Sequence, residues 1–229
     1  MTFADFKKKY HISIQDICRK TFEENRDNIR IKKEATAVRN MDAIYAAALN
    51  IANQKGFQTM TMRDLSRETR MSMGGLYAYF AGKEDLLKTI QHQYREYFSK
   101  ILKEHINAEI HPADRLRTAI QTHLYLSEIM QPWFYFSFME TKNLPHPEKE
   151  KAIASELASE KMICDILTEG QTRGVFKPHD PGLGASVIKG MLQDWYLKRG
   201  KYARRKISVD RYAAYLIEFI EAFFMAAPS

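Results

Sequence analysis

The sequence has little of what marks secreted, metal-binding or membrane-spanning proteins. Its 229 residues include only two cysteines, Cys18 and Cys164, which lie far apart and form no CxxC pair. This spacing supports neither a disulfide framework nor a zinc site built on thiolates. No run of about 18 apolar residues is present that could span a membrane, and the first ten residues, MTFADFKKKY, lack the apolar segment of a secretion signal. We therefore expect a cytoplasmic protein with no membrane contact and no bound metal.

Patterns typical of enzymes are also missing. The segment Gly182-Leu183-Gly184 lacks the third glycine of a dinucleotide-binding turn and follows no strand pattern. Neither the GxSxG turn of hydrolases nor the HExxH helix of metalloproteases occurs. The histidines are scattered, and His105 and His111, which flank a predicted helix end, are expected at the surface rather than as metal ligands. We expect no catalytic residues and no cofactor.

Positive charge is present in excess, and it is unevenly distributed. The chain carries 35 lysines and arginines against 28 acidic residues, a formal net charge of +7. Residues 1–83 hold 15 of the basic residues and only 9 of the acidic ones. Six more basic residues lie within 198–206, where we expect a solvated loop, with a contact to DNA or an acidic ligand as the alternative. A basic N-terminal third followed by a near-neutral remainder is typical of a nucleic-acid-binding region joined to another kind of domain.

Apolar residues recur at intervals of three and four along the chain, which predicts an all-α fold. From Met41 to Ala52 they line one helix face, and Gly56 suits the left-handed position that ends such a helix. No alternating apolar and polar run predicts a strand. Proline and glycine positions divide the remainder into further helices, which we predict at residues 61–70, 73–79, 83–105, 114–130, 132–139, 147–172, 181–198 and 209–225.

Residues 61–79 have the pattern of a helix-turn-helix, in which two short helices meet at a tight turn. Thr61 can cap the first helix through the amide of Asp64, and Ser72 opens the second helix. The second helix contains the pair Gly74-Gly75, although a glycine inside a helix costs about 1 kcal/mol. The missing side chains allow a close approach either to DNA or to a packed neighbour.

On these residues, the segment 40–87 resembles the DNA-binding domain of the TetR/AcrR family of bacterial transcriptional regulators. The matching stretches are Ala48 to Phe57, Thr61-Met62-Arg63-Asp64-Leu65, Met71 to Phe80 and Lys83-Glu84-Asp85-Leu86-Leu87. The resemblance implies an all-α homodimer with an N-terminal helix-turn-helix domain and a C-terminal helical domain for ligand binding and dimerisation. It assigns residues 1–39 to an extension, 40–87 to the DNA-binding domain and 88–229 to the C-terminal domain.

The resemblance also implies roles for individual residues in binding double-stranded DNA. The DNA contacts that it implies are Thr61, Arg63, Ser72, Met73, Gly74, Gly75, Tyr77, Tyr79 and Lys83. Arg39, a basic residue at the end of the extension, is also predicted to bind DNA. Leu65, Leu76 and Phe80 are expected in the small core. Many relatives carry a side chain at one of the two glycine positions, so Met73 and Tyr77 are expected to carry base specificity here.

The N-terminal extension is longer than in most relatives and has two interpretations. A helix is predicted from Ser13 to about Lys33, preceded and followed by basic residues. One hypothesis is an arm that adds contacts to DNA phosphates or the minor groove. The other is a helix that packs on the rest of the protein or on a partner subunit, with its basic side chains solvated.

The C-terminal domain is rich in aromatic residues and methionine, which fit either an apolar ligand cavity or a filled core. The predicted ligand-binding residues are Met130, Trp133, Phe134, Phe138, Met191 and Trp195. Residues 138–145 are loosely similar to a segment of regulators that respond to acyl-coenzyme A. Apolar spacing near the C-terminus predicts a dimer interface that contains Val187, Met191, Tyr212, Leu216, Phe219 and Phe223.

The sequence therefore predicts a homodimeric repressor that binds a palindromic operator. A small lipophilic effector, with acyl-coenzyme A as one candidate, would bind the C-terminal domain and release the DNA. The alternative is a DNA-bound adaptor that recruits a protein partner and has no small effector.

Overall fold

The computed structural model describes residues 1–10, 14–27 and 29–226, and over these residues the fold is all-α, as the periodicity predicts. Twelve α-helices and two short 3-10 turns form this part of the chain, and it contains no strand. The helices are α1 (Phe3–Tyr10), α2 (Ile14–Glu24), α3 (Glu34–Lys55), α4 (Met62–Thr69), α5 (Met73–Tyr77), α6 (Lys83–Asn107), α7 (Pro112–Ile129), α8 (Gln131–Glu140), α9 (His146–Thr172), α10 (Pro181–Leu197), α11 (Arg199–Arg204) and α12 (Val209–Phe224). None of them is both long and apolar enough to cross a bilayer.

Most helix ends follow local chemistry. Gly56 ends α3 with φ 84°, Thr61 caps α4, and Ser72 caps α5. The predicted N-terminal helix is shorter than expected, since α2 ends at Glu24, and its proposed cap Ser13 lies outside the described residues. The short helices α1 and α11 have no counterpart in the sequence analysis.

The chain forms two compact units whose boundaries differ from the predicted ones. Residues 11–97 and 132–152 form the first, which we call the helix-turn-helix unit. Residues 1–10, 98–131 and 153–229 form the second, which we call the terminal unit. Segment 132–152, assigned above to the C-terminal domain, packs in the helix-turn-helix unit, while the predicted domain boundary at residue 87 stays a prediction.

Aromatic packing explains why α8 lies in the helix-turn-helix unit. The ring of Trp133 stands edge-on to Tyr45 of α3, with centroids 5.4 Å apart. Phe134 meets Tyr94 of α6 at 5.0 Å in the same edge-on arrangement. Because aromatic side chains bury 150–250 Å² each, by a rough average, these contacts hold α8 against α3 and α6.

The terminal unit has its own aromatic core. Phe6 of α1 is buried 5.4 Å from Tyr125 and 5.6 Å from His105, measured between ring centroids. The amide of Phe3 donates to Asp210, whose carboxylate also accepts from the Tyr125 hydroxyl. His105 is thus buried rather than exposed as predicted, because α1 covers it.

The basic cluster at 198–206 is also ordered differently from the predicted loop. Arg199, Lys201 and Arg204 lie in α11, whose Tyr202 is buried with its ring centroid 4.9 Å from that of Trp195. Lys198 and Lys201 pair with Asp194, at 2.9 and 2.6 Å. Arg199 pairs with Glu128 at 2.8 Å. Three of the six basic residues of the cluster are therefore paired, through two carboxylates.

Candidate nucleic-acid interface

The first helix of the pair, α4, is fixed at its start by a reciprocal capping box. The Thr61 hydroxyl accepts from the Asp64 amide at 3.1 Å, and the Asp64 carboxylate accepts from the Thr61 amide at 2.9 Å. Hydrogen bonds from Lys55 and Thr61 lower the pKa of Asp64 to about 2. The box is therefore intact at neutral pH, and it confirms the cap that the sequence predicts.

The turn between α4 and α5 is held by side chains and by one left-handed residue. Arg70 ends α4 with φ 58°, a conformation that costs a non-glycine residue about 1–2 kcal/mol. The Ser66 hydroxyl donates to the Met71 carbonyl at 2.6 Å, and Ser72 accepts from the Gly75 amide at 3.1 Å. These contacts set the direction in which α5 leaves the turn.

The two glycines of α5 differ in their surroundings. A Cβ built on Gly74 meets nothing within 4 Å, whereas one on Gly75 lies 3.3 Å from the Ser72 hydroxyl oxygen. The packing of the described residues therefore gives no reason for glycine at position 74, although glycine lowers helix stability. The open space in front of Gly74 leaves the backbone of α5 accessible to a partner outside the chain.

Most of the predicted DNA contacts lie at the surface of the helix-turn-helix unit. Arg39, Thr61, Arg63, Ser72, Gly74 and Tyr77 are exposed, and Met73, Gly75 and Lys83 are half-buried. Tyr77 shows 46% of its surface.

Tyr79 is placed differently from the prediction. Only 6% of it is exposed, and its hydroxyl accepts from the Asn40 amide group at 2.9 Å. Burial raises the pKa of this hydroxyl. Because α5 ends at Tyr77, the chain turns inward and Tyr79 packs beside Phe80. Its place in the core supports α5 rather than presenting a ring to DNA.

Lys83 lies at the start of α6 with its ammonium already positioned. The Nζ donates to the Gln58 carbonyl at 2.9 Å and sits 5.3 Å from the centre of the Phe57 ring. An ammonium has three N–H groups, so two remain for a phosphate.

Two long-range contacts at this unit were missed by the sequence analysis. The amide of Arg30 donates to the Ala78 carbonyl at 3.0 Å, at the end of α5. The buried carboxylate of Glu140, at the end of α8, accepts from the Phe57 amide at 3.2 Å. No local spacing could reveal either contact, because both join segments far apart in sequence.

The predicted ligand-binding residues are divided between the two units. Trp133, Phe134 and Phe138 lie in the helix-turn-helix unit, and Met130, Met191 and Trp195 lie in the terminal unit. Trp195 is buried, stacks 5.0 Å from Tyr212, and donates its indole N–H to Glu128 at 3.1 Å. The packing within each unit thus occupies most of these rings, while Phe138 keeps 43% of its surface exposed.

The predicted dimer residues also separate into two groups. Val187, Phe219 and Phe223 are exposed, with 60%, 54% and 64% of their surfaces accessible. Leu216 is buried, and the Tyr212 hydroxyl donates to the Met191 carbonyl at 2.7 Å. Leu216 and Tyr212 therefore face the interior of the terminal unit. Leu183 and Tyr215, at 67% and 69% exposure, extend the exposed apolar residues of α10 and α12.

Comparison with known protein families gives two matches. Residues 44–90 match the bacterial regulatory proteins of the tetR family, and residues 109–220 match the tetracyclin repressor-like C-terminal domain. The HTH-type transcriptional regulator HbdR of Aromatoleum sp. (strain CIB) is 23% identical over 178 residues, which cover 78% of this chain and 74% of HbdR.

Solved structures share the fold. AibR in complex with isovaleryl coenzyme A and operator DNA has a TM-score of 0.69 at 20% identity, covering 81% of this chain and 98% of AibR. FadR from Bacillus subtilis in complex with stearoyl-CoA has a TM-score of 0.61 at 18% identity, covering 78% and 96%. The matched N- and C-terminal segments, together with the helix-turn-helix, show that the chain belongs to the TetR family of bacterial transcriptional regulators.

Proposed function

We propose that the protein is a homodimeric repressor that binds a palindromic operator through α5 and releases it when an acyl-coenzyme A binds. The observation that carries this proposal is the open backbone of α5 at Gly74, beside the exposed Tyr77. A glycine that destabilises its own helix and touches no neighbour fits an interface with an external partner. The basic N-terminal third favours a polyanion as that partner.

In this proposal α5 lies in the major groove and α4 crosses the DNA backbone. Met73 and Tyr77 reach base edges, while the backbone near Gly74 and Gly75 approaches the groove. Phosphates are bound by a separate group of residues, namely Arg39, Thr61, Arg63, Ser72 and Lys83. Two copies of α5 enter successive major grooves roughly 34–36 Å apart, as the spacing of adjacent half-sites requires.

The dimer in this proposal forms through α10 and α12. Leu183, Val187, Tyr215, Phe219 and Phe223 are large, apolar or aromatic, and exposed on these two helices. An exposed apolar patch of this kind is typical of an interaction site. A second copy presenting the same residues would form a four-helix interface, which suits two-fold symmetry.

An acyl-coenzyme A is the proposed effector class because AibR and FadR, which share the fold, were solved with isovaleryl coenzyme A and stearoyl-CoA. We assign its apolar contacts to Trp133, Phe134 and Phe138, the three predicted ligand-binding residues that lie in the helix-turn-helix unit. Of these, Phe138 has the largest exposed fraction, 43% of its surface. The hydrogen bond that the Phe57 amide donates to Glu140 links α8 to Phe57, whose ring contacts the Lys83 ammonium. Effector binding would favour a conformation in which the two copies of α5 no longer match the operator.

The test begins with wild-type protein and a random-sequence duplex library, from which bound fragments are selected and sequenced. Recovery of a palindrome supports the DNA-binding proposal, and recovery of no preferred sequence contradicts it. Isovaleryl-CoA and stearoyl-CoA are then added to the complex while melting temperature and DNA binding are followed. Stabilisation with release of DNA supports the effector class.

A matched pair of variants locates the effector. Phe138→Ala should weaken the response to the acyl-coenzyme A. Leu157 is also apolar and exposed but lies on α9, so Leu157→Ala should leave the response unchanged. If neither ligand shifts the melting temperature and a protein partner stays bound to the protein on DNA, the result favours a DNA-bound adaptor over a ligand-responsive repressor.

A further inference from the structure

The N-terminal extension contributes one wall of a groove beside the end of α5. The groove has a volume of about 610 Å³ and lies wholly within the helix-turn-helix unit. Arg30 of the extension, Tyr77 of α5 and Asp85 of α6 line it. Because Tyr77 is the exposed aromatic residue of α5, this groove borders the surface that the proposed function assigns to DNA.

Arg30 is held in this groove by its backbone rather than by its side chain. Its amide donates to the Ala78 carbonyl at 3.0 Å, at the residue that ends α5. The preceding residue, Ile29, is buried in the unit. Earlier in the extension, α2 packs on α3 and buries Ile17 and Phe22. The position of Arg30 is therefore fixed by the fold, while its side chain remains exposed.

The charge around Arg30 leaves its guanidinium available. Among the described residues, no carboxylate lies within ion-pair distance of Arg30, whereas Arg19 of the same extension pairs with Asp16 at 2.9 Å. Asp85 is the one carboxylate among the described residues that line the groove, and it accepts from the Ala81 amide at 3.0 Å. It therefore lies near the amides at the start of α6, where the helix dipole compensates its charge.

We propose that Arg30 binds an operator phosphate beside the DNA segment that Tyr77 reaches, so that the extension forms part of the DNA interface. This inference rests on the proposed function, since it requires α5 to bind DNA. An arginine fork matches phosphate geometry and forms bidentate, charge-assisted hydrogen bonds. Because the Arg30 amide also donates to the Ala78 carbonyl, a phosphate bound at Arg30 would hold the end of α5 in register with the DNA.

The experiment compares Arg30→Ala with Arg26→Ala, an exposed arginine of the same extension that does not line the groove. Both variants keep their backbone amides, so the bond to Ala78 is retained. Affinity for the duplex selected by the wild-type protein is measured between 50 and 200 mM salt. The slope of log affinity against log salt is negative, and each lost phosphate contact makes it shallower by about 0.9. A dimer loses two such contacts. Arg30→Ala should therefore make the slope shallower by about 1.8, and Arg26→Ala should leave the slope unchanged.

Three outcomes separate this inference from the proposed function. A reduced slope for Arg30→Ala, restored by Arg30→Lys, supports the phosphate contact. A wild-type slope and affinity in Arg30→Ala overturns it, while the operator proposal stands. If the wild-type protein selects no duplex, the proposed function fails first, and the phosphate contact fails with it. Equal melting temperatures of the two variants confirm that the comparison reports DNA contacts and not folding.

Discussion

The two units bury aromatic side chains in similar ways but expose different kinds of residue. On the helix-turn-helix unit, α5 exposes Gly74 and Tyr77, which are small or hydroxyl-bearing, and the same unit exposes Arg39 and Arg63. On the terminal unit, α10 and α12 expose Val187 and Phe219, which are apolar. The first surface fits a hydrated, negatively charged partner, and the second fits an apolar partner such as another copy of the chain. What a unit exposes is thus more informative about its partner than what it buries.

Removal of Trp133 gives the largest effect that we expect, and it tests whether α8 belongs to the core of the helix-turn-helix unit. Trp133→Ala leaves a large cavity against Tyr45 and should lower the free energy of unfolding by about 3–5 kcal/mol, measured by denaturant titration. Phe138→Ala on the same helix, whose ring is 43% exposed, should cost less than about 1 kcal/mol. Near-native stability of Trp133→Ala would contradict this core role, and a lost acyl-coenzyme A response in the same variant would leave ligand contact as the role of Trp133.

The apolar surface of the terminal unit is tested by a charge at its centre. Phe219→Glu removes an apolar contact worth about 1.5–3 kcal/mol per copy and places two carboxylates at a symmetric interface. We expect the dimer dissociation constant to rise at least about 100-fold, measured by sedimentation at several concentrations. Ile110→Glu, at a position that is 84% exposed outside α10 and α12, should leave the dimer intact. A wild-type protein that sediments as a monomer at every concentration would contradict the interface itself.

Acid should weaken the terminal unit through its buried histidines. Burial lowers the pKa of His105, with a smaller effect of the charge on Lys9, and burial lowers the pKa of His123 strongly. Each ring therefore gains its proton at a lower pH in the fold than in the unfolded chain, where a histidine gains one near pH 6.5, by rough average. The unfolded state binds more protons below this pH, so stability falls as the pH falls, by at most about 1.4 kcal/mol per pH unit for each histidine.

The measurement is the free energy of unfolding between pH 5.5 and 7.5, with hydrogen exchange to assign the loss to the terminal unit. His105→Gln should flatten the dependence, because it removes one of the two buried imidazoles. The same slope in wild type and His105→Gln would show that His105 does not contribute.

The smallest change is one methyl group at the second residue of α5. Gly74→Ala should raise the free energy of unfolding by up to about 1 kcal/mol and lower operator affinity about 10-fold, since the methyl group enters the space that DNA would occupy. Gly200→Ala is the matched control, because Gly200 is also the second residue of a short helix and has no atom within 4 Å of a built Cβ. It should gain similar stability and keep wild-type DNA binding. Unchanged operator affinity in Gly74→Ala would contradict the proposed close approach of the α5 backbone to DNA at Gly74.

Much of the fold could be predicted because its helix ends depend on near neighbours in the chain. The Thr61 cap, the Ser72 cap and the end of α3 at Gly56 all involve residues within four positions of each other. Exposure could not be predicted in the same way. Tyr77 and Tyr79 have the same residue type and lie only two positions apart, yet Tyr77 is exposed and Tyr79 is buried beside Asn40, because α5 ends at Tyr77.

The sequence by itself determined the all-α class, the helix-turn-helix and the family, since periodicity, capping and a short motif are properties of local spacing. The tertiary structure decided which unit each segment joins. Glu140 binds the Phe57 amide 83 residues away, Arg30 binds the end of α5, and Phe6 covers His105. Such contacts depend on how helices pack, and packing selects among many aromatic and polar partners that the sequence leaves equivalent. For this reason the role of α8 and of the N-terminal extension became definite only in three dimensions.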